Sequence, residues 1–446
     1  MLLRTIPAVL LLPLSATAQI APDALWQSWQ GTELPNARAA EVQRQDGSIR
    51  LEDLILHLAE GLSLETDVAT LDSDGQSVVI WPGETLRLSY ETASGAPIPV
   101  EIQAPGATIR VSGTPEAPNY ALAADSLTAT SAPLATTATL FDLGVSYATD
   151  GAPPDLTFEA GAMEVAATVP TEGGRLEIDT EIERITGGAD LPAPGEAIVT
   201  LVGQESLWRY AGAALDGPVG DIEVEAATQT VDQRLTLSET GLDLDGVARS
   251  LRFTATGPEV PLTDATARIA RLETSATGPL PDATGPQPAS LDVFLTGLTA
   301  SDEIWGLFDP EGVLPRDPAA LSLTTTGRLA IRDGEIQPIS MVLTSLEADG
   351  LGISLSGQGD AIFEEGADGR PRPVGQFDLR TTGFSDLLTT LADIGAIPPA
   401  QAIGARIALM TLTNAQGDDV RTTPLTFAPD GTISLNDQPV ARLPSD

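Results

Sequence analysis

Nine Asp-Gly dipeptides punctuate this chain of 446 residues, at 46, 74, 150, 216, 245, 333, 349, 368 and 430, and short runs of alternating apolar and polar residues lie between them. Asp-Gly supplies the positive-φ residues that a type I′ hairpin turn demands, and period-two alternation sets one face of each strand against a core. Such runs include Ile49 to Leu54, Val78 to Trp81, Leu86 to Tyr90, Thr108 to Val111, Leu156 to Glu159, Met163 to Ala166, Leu176 to Ile182, Ile222 to Glu225 and Leu235 to Leu237. All but the last have the four to eight residues of an ordinary strand. Glutamates alternate with aliphatics, so one face is wet and the other buried, whereas strands of a parallel sheet covered on both sides read as continuous apolar runs. The sequence therefore predicts a mainly β protein: one elongated antiparallel meander that curls into a groove or a sandwich.

Short helices are expected to cap it. Asp23 to Trp29 reads as an amphipathic turn or two with Asp23 as cap, Ser301 to Phe308 as a second short helix ending near Asp309-Pro310, and residues 384–413 as a pair. In that pair Ser385 is the expected cap, Gly395 ends the first helix, and Pro398-Pro399 starts the second, which runs from Ala400 to Met410. The Pro-rich segment 277–290, with Pro279, Pro281, Pro286 and Pro288, is expected to be an irregular loop or hinge. It divides an N-terminal β-rich part, 19–276, from a C-terminal one, 291–446.

The N-terminus, Met1-Leu2-Leu3-Arg4 followed by the apolar run Ile6 to Leu14 and by Ala16-Thr17-Ala18, reads as a secretory signal peptide cleaved between Ala18 and Gln19. The run is about half the roughly twenty apolar residues of a spanning helix. A periplasmic protein without a transmembrane segment after cleavage is expected. With no cysteine in the chain, its stability comes from packing and strand pairing alone.

Formal net charge is −40, from 63 acids against 23 bases, and every base is Arg. A surface this acidic repels nucleic acid, and no basic stripe offsets it, so nucleic-acid binding is excluded. The acids are dispersed singly rather than gathered at ligand spacing, which favours solubility over cation binding as their role.

No catalytic or cofactor motif emerges. The single histidine, His57, stands among Leu54, Ile55, Leu56 and Leu58, and neither a second His nor a Cys completes a zinc site. A Ser-His-Asp triad lacks the Gly-x-Ser-x-Gly elbow, and Ser356-Gly357 falls in a strand pattern. Asp72-Ser73-Asp74-Gly75 and Asp243-Leu244-Asp245-Gly246 look like the start of a calcium loop without its closing glutamate, so both are expected to be hairpin turns. Five tryptophans, Trp26, Trp29, Trp81, Trp208 and Trp305, stand out where aromatics are only 4% of the chain. Stapling of helices and strands to the core is the expected role of each, over an exposed glycan- or lipid-binding cluster.

Three segments carry a resemblance: Leu298 to Leu321, with Ser301-Asp302-Glu303-Ile304-Trp305 and Leu314-Pro315-Arg316-Asp317-Pro318; the helix pair around Gly395-Ala396-Ile397-Pro398-Pro399; and the final hairpin from Pro424-Leu425-Thr426-Phe427 to Pro444. In these the chain resembles an uncharacterised family of secreted, β-rich proteobacterial proteins, a domain of unknown function. The resemblance implies an envelope location and a long curved antiparallel sheet, and brings no catalytic residue with it. Many members of that family keep an N-terminal membrane helix, from which this chain departs. The recurring Gly of Thr326-Gly327-Arg328-Leu329 and Ser356-Gly357-Gln358-Gly359 is similar, in architecture only, to groove-forming sheets of envelope proteins that handle lipids.

The expected function is that of a non-catalytic periplasmic protein, without cofactor or metal, that binds an apolar, lipid-like ligand along a β-groove. The first alternative is a structural or assembly factor that holds envelope proteins through its sheet edges. A carboxylate-dependent hydrolase is the third reading.

Overall fold

The computed structural model describes residues 20–443 apart from the segments 31–35, 60, 92–96, 116, 149–154, 172–173, 194–195, 214–221, 239–240, 257–264, 281–284, 308, 333–334, 367–370 and 418. The signal-peptide segment and the Asp-Gly pairs at 150, 216, 333 and 368 lie outside the described residues. What is described is dominated by strands, joined antiparallel in one hydrogen-bonded sheet with four short helices. The chain packs as two compact units: Met1–Pro133 with Asp142–Leu156, and Leu134–Phe141 with Thr157–Asp446.

The first unit begins with helix α1 (Pro22–Trp29) and continues through β1 (Asn36–Arg38), β2 (Glu41–Gln45), β3 (Ser48–Ala59), β4 (Leu62–Ser73), β5 (Val78–Pro82), β6 (Thr85–Glu91), β7 (Pro97–Gln103), β8 (Thr108–Thr114) and β9 (Ala117–Ser131). Strand β4 pairs with β5 through residues 69–73 and with β6 through residues 62–66. Strand β9 in turn pairs with both β8 and β7, and β5 with β8, so these strands form a closed ring. Such closure leaves few unpaired strand edges. The core is made by Leu25, Trp26, Ile49, Leu51, Leu71, Val78 and Val111, all almost fully buried. At Asp46-Gly47 and Asp74-Gly75 the expected hairpin turns are found; Asp46 (φ 46°) and Gly47 (φ 85°) are both left-handed, as a type I′ turn requires. Asp23 does not cap α1: the cap position is Ala21, and Asp23 sits in the first turn paired with Arg44 at 2.8 Å.

Strand β10 (Thr136–Ala148) and strand β11 (Asp155–Thr171) contribute residues to both units. The second unit is a meander whose strands are much longer than expected: β12 (Gly174–Ala193), β13 (Glu196–Ala213), β14 (Ile222–Ser238), β15 (Gly241–Thr256), β16 (Thr266–Gly278) and β17 (Gln287–Ala300). Runs read separately in the sequence, such as Ile222 to Glu225 and Leu235 to Leu237, belong to one strand. Helix α2 (Asp302–Gly306) precedes β18 (Ala319–Arg332), β19 (Glu335–Gly350), β20 (Ile353–Glu365) and β21 (Pro371–Thr382). Then come helix α3 (Phe384–Asp393), helix α4 (Pro399–Leu412), β22 (Asn414–Gly417), β23 (Val420–Phe427), β24 (Thr432–Leu435) and β25 (Gln438–Arg442). Each strand from β12 to β21 pairs with the next, β21 pairs with β23, and β22 adds to β23 alone.

Three expectations fail here. Asp243 to Gly246 is not a turn but the middle of β15, where Leu242 and Leu244 continue the alternation and Gly246 pairs with Gln233 and Thr274. The Pro-rich loop is shorter than 277–290: Thr277, Gly278 and Gln287 to Ser290 are strand, with Pro288 opposite Arg328 near the start of β17, where its missing N–H is tolerated. Asp349-Gly350 closes β19, and the turn is made one step later by Leu351 and Gly352.

Helix α3 is capped from far along the chain. Ser385 is not its cap; Gly383 holds that position, and the Asp419 carboxylate accepts hydrogen bonds from the Ser385 and Asp386 amides at 3.0 to 3.2 Å. Burial alone would raise the Asp419 carboxyl, but these hydrogen bonds prevail and hold it below the usual carboxylate range. Buried Asp309, after α2, is handled alike: its oxygens accept from the amides of Val313 and Leu314, and Arg316 stacks over Trp305 at 5.1 Å.

Candidate functional site

In the second unit the two faces of the sheet divide by chemistry. In register across β14, β15, β16, β17 and β18 stand Leu235, Leu244, Ala276, Leu291 and Thr325 on one face, beside Arg234, Asp245, Ser275, Asp292 and Thr324 on the other. Farther along the meander Leu346, Gly357 and Leu379 continue the apolar face, and Leu343, Phe377 and Phe427 gather there around buried Ala361. An apolar sheet face in a closed sandwich would be buried throughout. Here most of its residues are only half-buried, and Leu244 and Leu291 are 39% and 40% exposed.

The face is most enclosed along one transverse line. On five adjacent strands the apolar positions step by three instead of two: Ile182 to Ile185, Ser206 to Gly203, Thr228 to Val231, Leu251 to Ala248, and Ile269 to Leu272. Three of these strands place a left-handed residue inside the step, Arg184 (φ 49°), Glu205 (φ 55°) and Ser250 (φ 56°), and β17 follows with Gly297 (φ 70°). The pairing register shifts, as at a β-bulge, between β12 and β13 and between β17 and β18, and runs unshifted from β13 to β17, so the step is a line of breaks that neighbouring strands share. The three-residue step has a purpose that alternation alone does not reveal: it keeps the aliphatic side chains on the same face above and below the break.

On the other face the left-handed residues Arg184, Glu205 and Ser250 are exposed. Arg184 donates to Gln204 at 3.0 Å and to Glu205 at 2.6 Å, and Arg249 donates to Asp232 at 2.6 Å. On the apolar side the line is lined by Ile182, Ile185, Val231 and Ile269, all more than 90% buried, together with two hydroxyls. That of Thr228 donates to backbone carbonyls of Thr230 and Arg249, while that of Ser206, directly opposite in register, has no hydrogen-bond partner among the described residues.

Beside this line, on β14 to β16, lies a cavity of about 260 Å³ walled by Ala226, Val231, Ala248, Leu251, Phe253 and Leu272. Its only polar side chains are Thr228, Gln233 and Thr274. A larger hollow of about 490 Å³ lies across β19, β20, β21 and β23, lined mainly from the polar face by Glu347, Gln358, Asp378, Arg380, Asn414 and Thr422. Size does not decide between them. The larger one is walled by exposed charges that water already satisfies, whereas the smaller leaves aliphatic and aromatic carbon in contact with solvent, a cost that an apolar ligand would remove.

The residues singled out in the sequence do not converge on either. His57, half-buried on β3, pairs in register with Asn36 and Ser63. Trp26 and Trp29 are buried in the first unit's core edge-to-face at 6.5 Å, and Trp305 is buried beside Arg316, so these three staple, as expected. Trp81 instead is 42% exposed on β5, and the Trp208 side chain lies outside the described residues. The carboxylates held below their ordinary range serve turns and caps: Asp74, where the Gln76 and Ser77 amides donate, Glu303, Asp309, Asp419 and Asp430. Among the described residues no three His, Cys, Asp or Glu side chains form a group able to hold a metal ion, and no helix is long and apolar enough to cross a membrane.

A family model matches residues 180–444, well over half of the chain, and that span falls within the second unit, from β12 to the C-terminus. The chain belongs to this family, described as an uncharacterised protein conserved in bacteria (DUF2125). The DUF2125 match thus contains the line of three-residue steps, the apolar cavity and the α3–α4 pair. No curated protein and no solved structure matches the chain.

Proposed function

We propose that this is a non-catalytic periplasmic protein that holds an apolar, lipid-like ligand on the apolar face of its second unit, seated at the cavity beside the line of three-residue steps. The observation that carries the reading is an aliphatic sheet face, continuous in register over many strands, that stays half open. Apolar surface left to water costs about 25 cal/mol per Å². Soluble proteins rarely keep a contiguous patch of this kind unless something binds it. An acyl chain suits the site better than a polar or aromatic cofactor: the cavity offers carbon walls and few polar anchors, while the face continues past the cavity along the meander. The N-terminal leader read in the sequence supports an exported location.

The test is native mass spectrometry of the protein recovered from a bacterial periplasm, followed by organic extraction and identification of the extract. A co-purifying apolar molecule at defined stoichiometry, lost in Leu251→Asp, supports the reading. A bare protein whose apolar face also fails to bind a fluorescent fatty acid overturns it.

A second reading, a factor that holds envelope proteins by strand addition, draws on β25, which is exposed at every residue. Its pairing partner among the described residues is β24. A third, a carboxylate-dependent hydrolase, would use the polar hollow, whose Glu347 and Asp378 are both exposed rather than enclosed in a concave pocket.

A further inference from the structure

Helix α4 is the part of the second unit that its packing explains least. Its sequence, Pro399-Ala-Gln-Ala-Ile-Gly-Ala-Arg-Ile-Ala-Leu-Met-Thr-Leu412, is apolar on most sides, a composition that normally means burial. Yet Ala402 alone is buried, and Ile403, Ile407 and Met410 are 57%, 55% and 60% exposed. Their spacing of four and three residues places them in one stripe along the helix.

The charge pattern around the stripe is equally unusual. About one residue in seven of this chain is acidic (63 of 446), yet from Ile394 to Gly417 there is no Asp or Glu, the longest acid-free stretch in the sequence. Its one charged side chain is Arg406, whose guanidinium hydrogen-bonds the Thr389 hydroxyl of α3. In a chain of net charge −40, this is the segment that can approach an anionic or densely packed polar surface with the least repulsion.

We propose that α4 docks on a lipid bilayer surface, lying in the interface with Ile403, Ile407 and Met410 inserted among the acyl chains. A second copy of the chain fits less well, for two reasons. Three side chains fall far short of the roughly 800 Å² per partner that a stable protein interface buries. Self-association would also bring together two chains that each carry −40. A bilayer needs no matching shape, and interfacial helices bind through such stripes. The inference rests on α4 alone and stands whether or not the sheet face holds a ligand.

The test uses the full chain and vesicles of phosphatidylcholine, with Ile403→Ser/Ile407→Ser/Met410→Ser as the comparison. The parent is expected to co-sediment, and the triple variant, with an unchanged circular dichroism spectrum, to lose more than about ten-fold in bound fraction. Because both proteins share any retained leader, the difference reports α4. Since the chain has no cysteine, Met410→Cys carrying an environment-sensitive fluorophore gives a second readout, expected to shift to the blue on vesicles. Adding phosphatidylglycerol should weaken binding at low salt, and salt should restore it. Equal sedimentation of parent and variant, or a fluorophore that does not shift, overturns the proposal. So does a stripe-dependent dimer that ignores vesicles, which would give the face to a second copy.

Discussion

Single residues carry constraints in this protein that no local pattern shows. Asp419 caps a helix through the Ser385 amide, 34 residues earlier in the chain. Asp419→Ala is expected to cost roughly 1 kcal/mol, as loss of a helix cap does, read as a lowered midpoint in urea unfolding. Because the folded carboxyl lies below its unfolded value, the contribution is present above the ordinary carboxylate pKa of about 4 and is lost as pH falls through the folded value. The gap between parent and Asp419→Ala should therefore close in acid; a gap that is constant from pH 7 to pH 3 would contradict the cap. Ser206 makes the opposite case. Its buried hydroxyl has no partner, so Ser206→Ala is expected to be neutral or stabilising in thermal unfolding, and a clear loss of stability would reveal a hidden one. Gly297 sits at φ 70°, where a Cβ would come within 2.6 Å of the Ala270 Cβ. Gly297→Ala should thus lower the melting temperature through both strain and overlap.

At the scale of elements, most strand positions were legible from alternation, and the Asp-Gly turns at 46, 74 and 430 from dipeptide chemistry. What stayed hidden has a physical cause in each case. The three-residue step interrupts period two, so β14, one strand of 17 residues, reads as two short runs, and of β12, 20 residues long, only Leu176 to Ile182 is legible. Asp245-Gly246 looks like a turn, but pairing of Leu242, Leu244 and Gly246 with β14 on one side and β16 on the other overrides the dipeptide. The α3 cap comes from β23's leading edge, which sequence proximity cannot supply. The candidate site was legible only as an apolar face; its position at the three-residue steps depends on register between strands. That position makes a prediction: Leu244→Asp, on the open part of the face, should leave the protein folded and weaken binding of a fluorescent fatty acid. Val231→Asp, 7% exposed on the line itself, should unfold it, because a buried unpaired charge costs several kcal/mol. Equal, mild effects from both would mean that the line is no more enclosed than the rest of the face.

For the whole molecule, the account joins an acidic chain, a family match confined to the second unit, and a sheet with one face of carbon and one of charge. In the second unit the charged face meets water, and the apolar face is the one proposed to bind. Native mass spectrometry of the protein recovered from a bacterial periplasm, read beside an organic extract, measures this claim most directly. The account expects an apolar adduct of defined mass on the parent protein, reduced in Leu251→Asp and unchanged when the exposed residues of the polar hollow, Glu347 and Asp378, are replaced by Ala. A parent protein of bare sequence mass that takes up no fatty acid when one is supplied would contradict it.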